Sequence, residues 1–504
     1  MKSKNNISQI SQKTTPHPRP PTSFEAYLCL VLVGGSILLT SFWGGPIQFG
    51  IVLATTFAFL MAQRLGFTWG EMEGVIGERL GKLSGTMLIM WMIGFLLGSM
   101  LYSGLLPMLV YYGFQIISPH RLYLSAFLAC MLMSTITGSS WSSAGTAGVA
   151  CMALAHGHGA DLGIMAGAVV AGAIFGDKIS PMSETTNLAP ACVGTDLWSH
   201  IRSQLWTTVP AALIGAIVFA VLGMSLKTES GTLPQTAATI MEQLDTLFNW
   251  NILLLLPVGL LLILALLKKP VVPTMFLCGV LSLVLGRVIQ GFDLSIGFAA
   301  AITGFKADAI TPVGMVLDDK VSYILNRGGM TSMVSIILIC FCGFAMTSIL
   351  THAGFMEKAV EPLVKNLNTR WKAMLTAEIA TLLVLSIGGI SYVSSVFVGE
   401  AWKKPFIKNG MGKPCLSRTL EDVGTCCSAI VPWCASAAFY MTTLDVPVWG
   451  PGGFAPLTIF PYLCPVIALL LSVFGIGISP LTKEEQEREL REVEREETEV
   501  FANS

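Results

Sequence analysis

The chain has 504 residues, 53% of them hydrophobic and only 12% charged, and its mean hydropathy is +0.68. Soluble domains carry about 25% charged residues, so this composition excludes an ordinary soluble enzyme or binding module. A net charge of −1 gives no electrostatic basis for binding nucleic acid.

With 50 glycines and 24 methionines, the chain suits closely packed membrane helices, where small residues let backbones approach. No β-barrel alternation is visible, so the expected class is an all-α polytopic membrane protein. The 12 cysteines lie mostly in apolar runs, as at Cys29, Cys130, Cys278, Cys340 and Cys342. The spacing of Cys415, Cys426, Cys427 and Cys434 matches no zinc or redox pattern. They read as small core residues, and no cofactor is expected.

Residues 1–24 are polar, with Lys2, Lys4, Lys13 and Arg19 before any acid, and read as a cytoplasmic N-terminal tail. Apolar segments long enough to span follow at about 25–43, 46–63 and 86–104. Between the last two, residues 70–84 carry Glu71, Glu73, Glu78, Arg79 and Lys82 and read as an interfacial helix. Residues 121–156 place a polar, glycine-rich tip, TGSSWSSAGTAG, between two short apolar arms. That grammar predicts a re-entrant hairpin, which membranes tolerate only where protein or a water cavity covers it. His156 and His158 at its foot read as exposed loop residues without a role.

A broken span at 162–195 comes next, then a full span at about 207–226 and an external loop at 227–248. Further spans are expected at about 249–267, 271–288 and 333–351. Residues 371–402 repeat the hairpin grammar around GGISYVSS, with basic feet. A second broken span, 416–444, and a last span, 456–478, complete the apolar part. Residues 482–504 hold nine glutamates and four basic residues, in i,i+4 pairs such as Glu484 with Arg488, and predict a solvated helix in a charged cytoplasmic C-terminal tail from residue 481 on.

Self-comparison orders these elements. At an offset of 251, Ser140 lies over Ser391, Trp141 over Tyr392, Ser143 over Ser394, Gly148 over Gly399 and Pro181 over Pro432. Near the same offset Gly94-Phe95 lies over Gly343-Phe344. The expected architecture is two repeats, 25–226 and 249–480, each with five spans, one hairpin and one broken helix. Counting crossings from an inner N-terminus makes the repeats inverted, with Arg64, Arg202, Lys268, Lys269 and Lys403 on the cytoplasmic side. Secondary transporters use this arrangement and bind near the midplane at broken helices. No GxxxxGK[ST] motif is present, which argues against a nucleotide-driven pump.

The chemistry concentrates at residues 173–191, AIFGDKISPMSETTNLAPA. A charge at bilayer depth costs about 2.5–3.5 kcal/mol, so Asp177, Lys178 and Glu184 would together cost about 8 kcal/mol unless paired, hydrated or bound to an ion. The plainer alternative is a surface loop or a structural charge cluster. Sodium entering a membrane must replace its water with oxygen ligands. Candidate ligands are Asp177, Glu184, Ser180, Ser183, Thr185, Thr186 and Asn187 at the break, with Thr137, Ser139, Ser140, Ser142 and Ser143 on the hairpin tip. A carboxylate that binds either Na⁺ or H⁺ would exchange one for the other. Lys178 is the expected charge partner of that carboxylate in the empty site. The second half has Ser428, Ala429 and Ala435 in place of Asp177, Lys178 and Glu184, and its acids Glu421 and Asp422 are expected toward the cytoplasmic mouth. Ser391, Ser394, Ser395, Ser428 and Ser436 could line a second cation or an organic solute. Glu378 is either a proton carrier or a packing partner.

FGDKISPMSETTNLAPA, with TGSSWSSAGTAG, closely resembles the NhaC Na⁺/H⁺ antiporter family of the ion transporter superfamily. The resemblance implies a scaffold domain and an elevator-like transport domain, in a homodimer of the bacterial inner (plasma) membrane. It carries the ion role to Asp177, Ser180, Ser183, Glu184, Thr185, Thr186 and Asn187, and to Thr137, Ser140 and Ser143. It implies Na⁺/H⁺ antiport. It also leaves open Na⁺-coupled transport of a small organic anion, of malate or lactate type, or of an amino acid.

Overall fold

A computed structural model describes residues 18–43, 45–226, 235–267, 269–365, 367–389 and 391–503. Most of the expected N-terminal tail, Lys268 and residues 227–234 of the expected external loop lie outside this set. The described residues are helical and contain no strand.

In chain order the helices are α1 (Ser23–Phe42), α2 (Ile47–Arg64), α3 (Trp69–Ser103), α4 (Leu105–Ile116), α5 (Leu122–Thr137), α6 (Ser140–Ser143) and α7 (Val149–His158). Then come α8 (Leu162–Ile179), α9 (Glu184–Val193), α10 (Leu197–Met224), α11 (Gln235–Leu247), α12 (Leu256–Leu266), α13 (Val271–Leu285), α14 (Leu294–Thr303) and α15 (Asp319–Leu325). The remainder are α16 (Val334–His352), α17 (Phe355–Val364), α18 (Arg370–Gly388), α19 (Ser391–Lys408), α20 (Lys413–Cys427), α21 (Ala435–Leu444), α22 (Phe460–Phe474) and α23 (Lys483–Asn503). By length and composition, five described helices could cross a membrane, or up to seven if each bent pair is one span. One bent pair is α3 with α4, which turn by 68° at Gly104. The expected interfacial helix at 70–84 is not separate, because α3 runs through it without interruption.

The described residues cluster in two compact units. One holds those up to Lys82 together with Cys342–Pro362. There Thr22 and Glu25 cap α1 reciprocally, and the Glu25 carboxylate also holds Arg19 at 2.6 Å. α1 packs on α2, with Gly50 lying close under Ile37 and Thr40.

The other unit holds Leu83–Phe341 and the chain from Leu363 on, and contains both hairpins and both breaks. Its centre is α8 and α20. Every residue of α20 from Cys415 to Cys427 is buried. α8 packs on α5 through Gly172 and Gly176, a small-xxx-small pair: a Cβ on Gly176 would lie 2.2 Å from the Thr135 amide nitrogen. Ser134 Oγ bridges the same pair of helices to the Ala173 carbonyl at 2.5 Å. Around this centre, α10 exposes Leu213, Ile217 and Val221, and α13 exposes Phe276, Leu277 and Val284. Rows of exposed large apolar residues on long helices are what lipid contact requires. The chain is a multi-pass membrane protein. All 12 cysteines are free and ten are buried, as core packing demands.

The chain turns at both expected tips, and helices stop and restart at both expected breaks. α5 ends at Gly138 (φ 66°) and α18 at Gly389 (φ 68°), each in the left-handed conformation that favours glycine. α8 stops at Ile179 and resumes as α9 at Glu184, and α20 stops at Cys427 and resumes as α21 at Ala435. Each tip glycine touches a break. Gly138 lies against Met182 and Ser183, and the Gly389 carbonyl accepts from the Ala435 amide at 3.1 Å. The packing then crosses over: α9 lies on α19, and α21 lies on the first hairpin, where Phe439 stacks on Trp141 at 5.2 Å.

The two tips should differ in tolerance. A Cβ on Gly138 would meet the Met182 Cβ at 2.5 Å, whereas on Gly389 the nearest atom is the Trp433 carbonyl oxygen at 3.8 Å. Gly389→Ala should therefore cost only the left-handed backbone term, about 1–2 kcal/mol. Gly138→Ala should cost clearly more, because the break must also move. Melting temperatures of the two purified variants check this, and equal losses would contradict it.

Candidate functional site

Asp177 sits two residues before the end of α8, facing the first hairpin. Two hydroxyls hold it: Ser140 Oγ donates to Oδ2 at 2.7 Å, and Ser183 Oγ donates to Oδ1 at 2.6 Å. Thr185 Oγ1 lies 3.1 Å from Ser183 Oγ and extends the chain of oxygens. One hydroxyl comes from the hairpin tip, one from the cap of α9 and one from its first turn. The Tyr440 hydroxyl of α21 lies beside Ser140, so the second half also reaches this site. Among the described residues no cation lies within ion-pair distance of Asp177.

The other expected ligands divide into support and surroundings. Thr186 Oγ1 donates to the Asp177 carbonyl at 2.6 Å, closing the end of α8. Asn187 donates to the carbonyls of Pro181 and Ser183 at 2.9 and 2.7 Å, which fixes the break. Ser180 is buried and accepts from the Met182 amide. Thr137 bonds the Met133 and Ser139 carbonyls, Ser139 caps α6 by accepting from Ser142, and Ser143 bonds the Cys130 carbonyl at 2.8 Å. Glu184 is exposed and takes no part in this cluster. A cavity of about 240 Å³ adjoins the tip, lined by Thr137, Ser139, Ser142, Pro181, Met182 and Lys269.

Lys178 does not pair with Asp177 or Glu184. Consecutive residues on a helix point about 100° apart and do not face each other. With Asp177 turned to the hairpin, Lys178 is turned to α20, where its ammonium pairs with Asp422. Both side chains are fully buried. Thr207 of α10 donates to the same Asp422 oxygen at 2.8 Å, and Arg418 Nε lies 3.7 Å from the other. Glu421 accepts from Gln204 at 2.7 Å, and its carboxylate lies 3.4 Å from His200 Nε2. Arg418 donates to the Gly477 carbonyl at 2.6 Å. Asp422 and Glu421 thus lie in the interior, not at a mouth, because α10 supplies the partners that make their burial tolerable. Among the described residues, the serines of the second half do not gather round an acid. Ser394 and Ser428 bond carbonyls of their own helices, at Ser391 and Thr425, and Ser391 and Ser394 pack over Gly424. Ser395 is buried and Ser436 half-buried.

The histidines of the first hairpin are also packed, not loose. His156 stacks on Tyr323 at 4.3 Å, and His158 meets Phe114 edge-on at 4.9 Å.

The sequence model of the Na⁺/H⁺ antiporter family matches residues 24–186 and 172–476. The chain belongs to that family. It is 34% identical over 475 residues to a Haemophilus influenzae chain described as an uncharacterized Na⁺/H⁺ antiporter, covering 94% of this chain and 100% of that one. It is 32% identical over 454 residues to the Na⁺/H⁺ antiporter NhaC of Alkalihalophilus pseudofirmus, covering 90% and 96%. It is 30% identical over 431 residues to the malate-2H⁺/Na⁺-lactate antiporter of Bacillus subtilis, covering 85% and 90%. The family is one of transporters, not enzymes. Its two matched segments overlap at 172–186, where Asp177 lies.

Removing one member of a buried pair leaves an uncompensated charge and costs about 3–5 kcal/mol. Lys178→Met should therefore lower folding yield and thermal stability severely, while Thr207→Val, which deletes one hydroxyl, should cost about 1–3 kcal/mol. Denaturation of both variants in detergent measures the ranking, and a mild Lys178→Met would show that the pair is dispensable.

Proposed function

We propose that this chain exchanges Na⁺ for H⁺ across a membrane by alternating access, with both ions competing for Asp177. The observation that carries this reading is the Asp177 carboxylate, cradled by hydroxyls from the hairpin tip and the break and faced by no cation. In the ion-free state the hydroxyl protons point at the carboxylate. When Na⁺ arrives, rotation of Ser140, Ser183 and Thr185 turns lone pairs inward, and the same oxygens become hard ligands suited to a hard cation. The carbonyl end of α8 adds negative potential at this point. A proton on Asp177 removes the charge that attracts Na⁺.

Exchange follows from charge as well as from competition. Asp177 with Na⁺ is neutral, and so is Asp177 with H⁺, whereas the empty carboxylate carries its charge into low dielectric at a cost of several kcal/mol. The loaded forms can cross and the empty form is held back.

The reading includes the inverted-repeat architecture. α9 (184–193) and α21 (435–444) fall at one offset, and so do the tip glycines 138 and 389. The helices after both breaks end in left-handed residues, Gly194 and Asp445. It also includes five spans per repeat, an elevator-like moving body, a homodimer, cytoplasmic termini and the bacterial inner membrane.

One observation favours a second reading, Na⁺-coupled exchange of a small organic anion. Lys269 lines the cavity beside the hairpin tip, where an ammonium could meet a carboxylate solute. Labelled malate or lactate uptake that needs Na⁺ would support it.

Reconstituted protein should acidify or alkalinise vesicles on a Na⁺ jump, and Asp177→Asn should abolish the response; exchange unchanged in that variant removes Asp177 from the mechanism. Ser183→Ala should raise the half-saturating Na⁺ concentration about tenfold, equivalent to about 1.4 kcal/mol. Competition fixes the sign with pH: apparent Na⁺ affinity falls as pH falls.

A further inference from the structure

A cavity of about 510 Å³ lies at the end of α21 remote from the second break, and it shares no lining residue with the cavity beside the first hairpin tip. Arg327, just after α15, is its centre. The guanidinium lies over the Tyr323 ring, 4.0 Å from the centroid, and Nε donates to the Tyr323 carbonyl at 3.1 Å. The Phe305 amide fixes the backbone by donating to the Arg327 carbonyl at 2.9 Å. A guanidinium held in this way presents its fork in one orientation, which lowers the cost of binding a planar anion. Nη2 donates to Asp445 Oδ2 at 3.1 Å. These contacts use two of the five N–H groups that a guanidinium has.

Asp445 is a weakly committed partner. Its side chain is 64% exposed, against 12% for Arg327, and an ion pair so open to water holds little energy. Its backbone sits at φ 60°, the left-handed region that strains a residue with a Cβ. The cavity meanwhile offers groups that nothing occupies. Thr443 lines it, is 4% exposed, and its Oγ1 has no hydrogen-bond partner among the described residues. The Tyr323 hydroxyl lies beside the Arg327–Asp445 pair. Lys306 and Asp319 line the cavity at the surface with opposite charges. With Asp445 turned to solvent, Arg327 and Lys306 against Asp319 leave the lining one net positive charge. Leu97, Phe305 and Met333, all buried, supply an apolar wall. One positive charge beside an apolar wall selects an anion with one charge and a short carbon chain.

We propose that this cavity binds a small organic monocarboxylate, whose carboxylate replaces that of Asp445 on Arg327 with Thr443 as a further donor. The site touches both elements that reach the Asp177 cradle. His156, at the foot of the first hairpin, stacks on Tyr323. Asp445 ends α21, about 7.5 Å along the helix from Tyr440, which lies beside Ser140. Occupancy by a carboxylate therefore unties the end of the helix that carries Tyr440.

The test is a titration of purified full-length protein in detergent with choline butyrate, replacing choline chloride at constant ionic strength, followed by saturation-transfer NMR. Wild type should bind butyrate saturably. Arg327→Gln should weaken binding about tenfold or more, the loss of a charged hydrogen-bond partner. Asp445→Asn should instead strengthen it, about two- to fivefold, because the internal competitor is gone. A purely structural ion pair would weaken binding in both variants, and that result overturns the proposal. So does an absence of saturable binding in the wild type, or unchanged binding in Arg327→Gln. Lys269→Gln should bind as the wild type does; loss of binding there moves the carboxylate to the hairpin-tip cavity and overturns this site. If Arg327→Gln does not assemble, the sign of the Asp445→Asn change decides. No Na⁺ or pH gradient enters the measurement, so failure of the exchange reading leaves this site standing, and the reverse also holds.

Discussion

The buried pair between Lys178 and Asp422 sets the geometry of the whole interior. Two charges with no solvent access are costly even when paired, and they persist only where further polar groups complete their coordination. Thr207 and Arg418 lie beside the carboxylate to do so, one from α10 and one from α20 itself. The pair fixes how α8 is rotated about its axis. Because Asp177 is the preceding residue, that rotation aims it at the hairpin tip. The carboxylate we propose as the ion ligand is therefore oriented by a contact it does not make.

Close backbone approach completes the placement. Gly172 and Gly176 let α8 lie almost backbone to backbone on α5, and Ser134 ties the two together. α5 leads directly into the tip that carries Ser140. The hydroxyl and the carboxylate it meets are thus delivered by two helices whose separation no side chain adjusts. The break adds Ser183 and Thr185 from the start of α9, with Asn187 and Thr186 satisfying the carbonyls freed there. Hydrogen bonds that would be lost at a helix interruption are replaced locally, which is the condition for interrupting a helix inside a membrane.

Much of this was legible in the sequence because the signals were local. Hairpins, breaks and their offset of 251 follow from runs of apolar residues interrupted by glycine, serine and proline, and the tips at Gly138 and Gly389 fall where the overlay puts them. Asp177 with Ser140 and Ser183 was legible for the same reason. The partner of Lys178 was not. It lies 244 residues away, and proximity in sequence pointed to Asp177 and Glu184, which adjacent helical positions and the outer face of α9 exclude. A signal was present in α10, where His200, Gln204 and Thr207 recur at i, i+4 and i+7 in an otherwise apolar span, and in α20, where Ser417 and Glu421, and Arg418 and Asp422, recur at i and i+4. Polar stripes on two spans imply that the spans face each other. The long α3 was missed because its charged first turns looked like a separate surface helix.

The division of labour between the halves follows from these contacts. The chain has two tips and two breaks, and among the described residues the first break holds an acid without a cation. The second half turned its acids inward along α20, where they anchor Lys178 and engage α10. Its tip rests on a break with no charge, and its α21 instead reaches across to the first tip through Phe439 and Tyr440. Two equal ion sites in one body would carry twice the uncompensated charge through the bilayer in every empty state. The single site we propose at the first break, with Ser428 at the position that the sequence overlay matches to Asp177, limits that charge while keeping the contacts between tips and breaks.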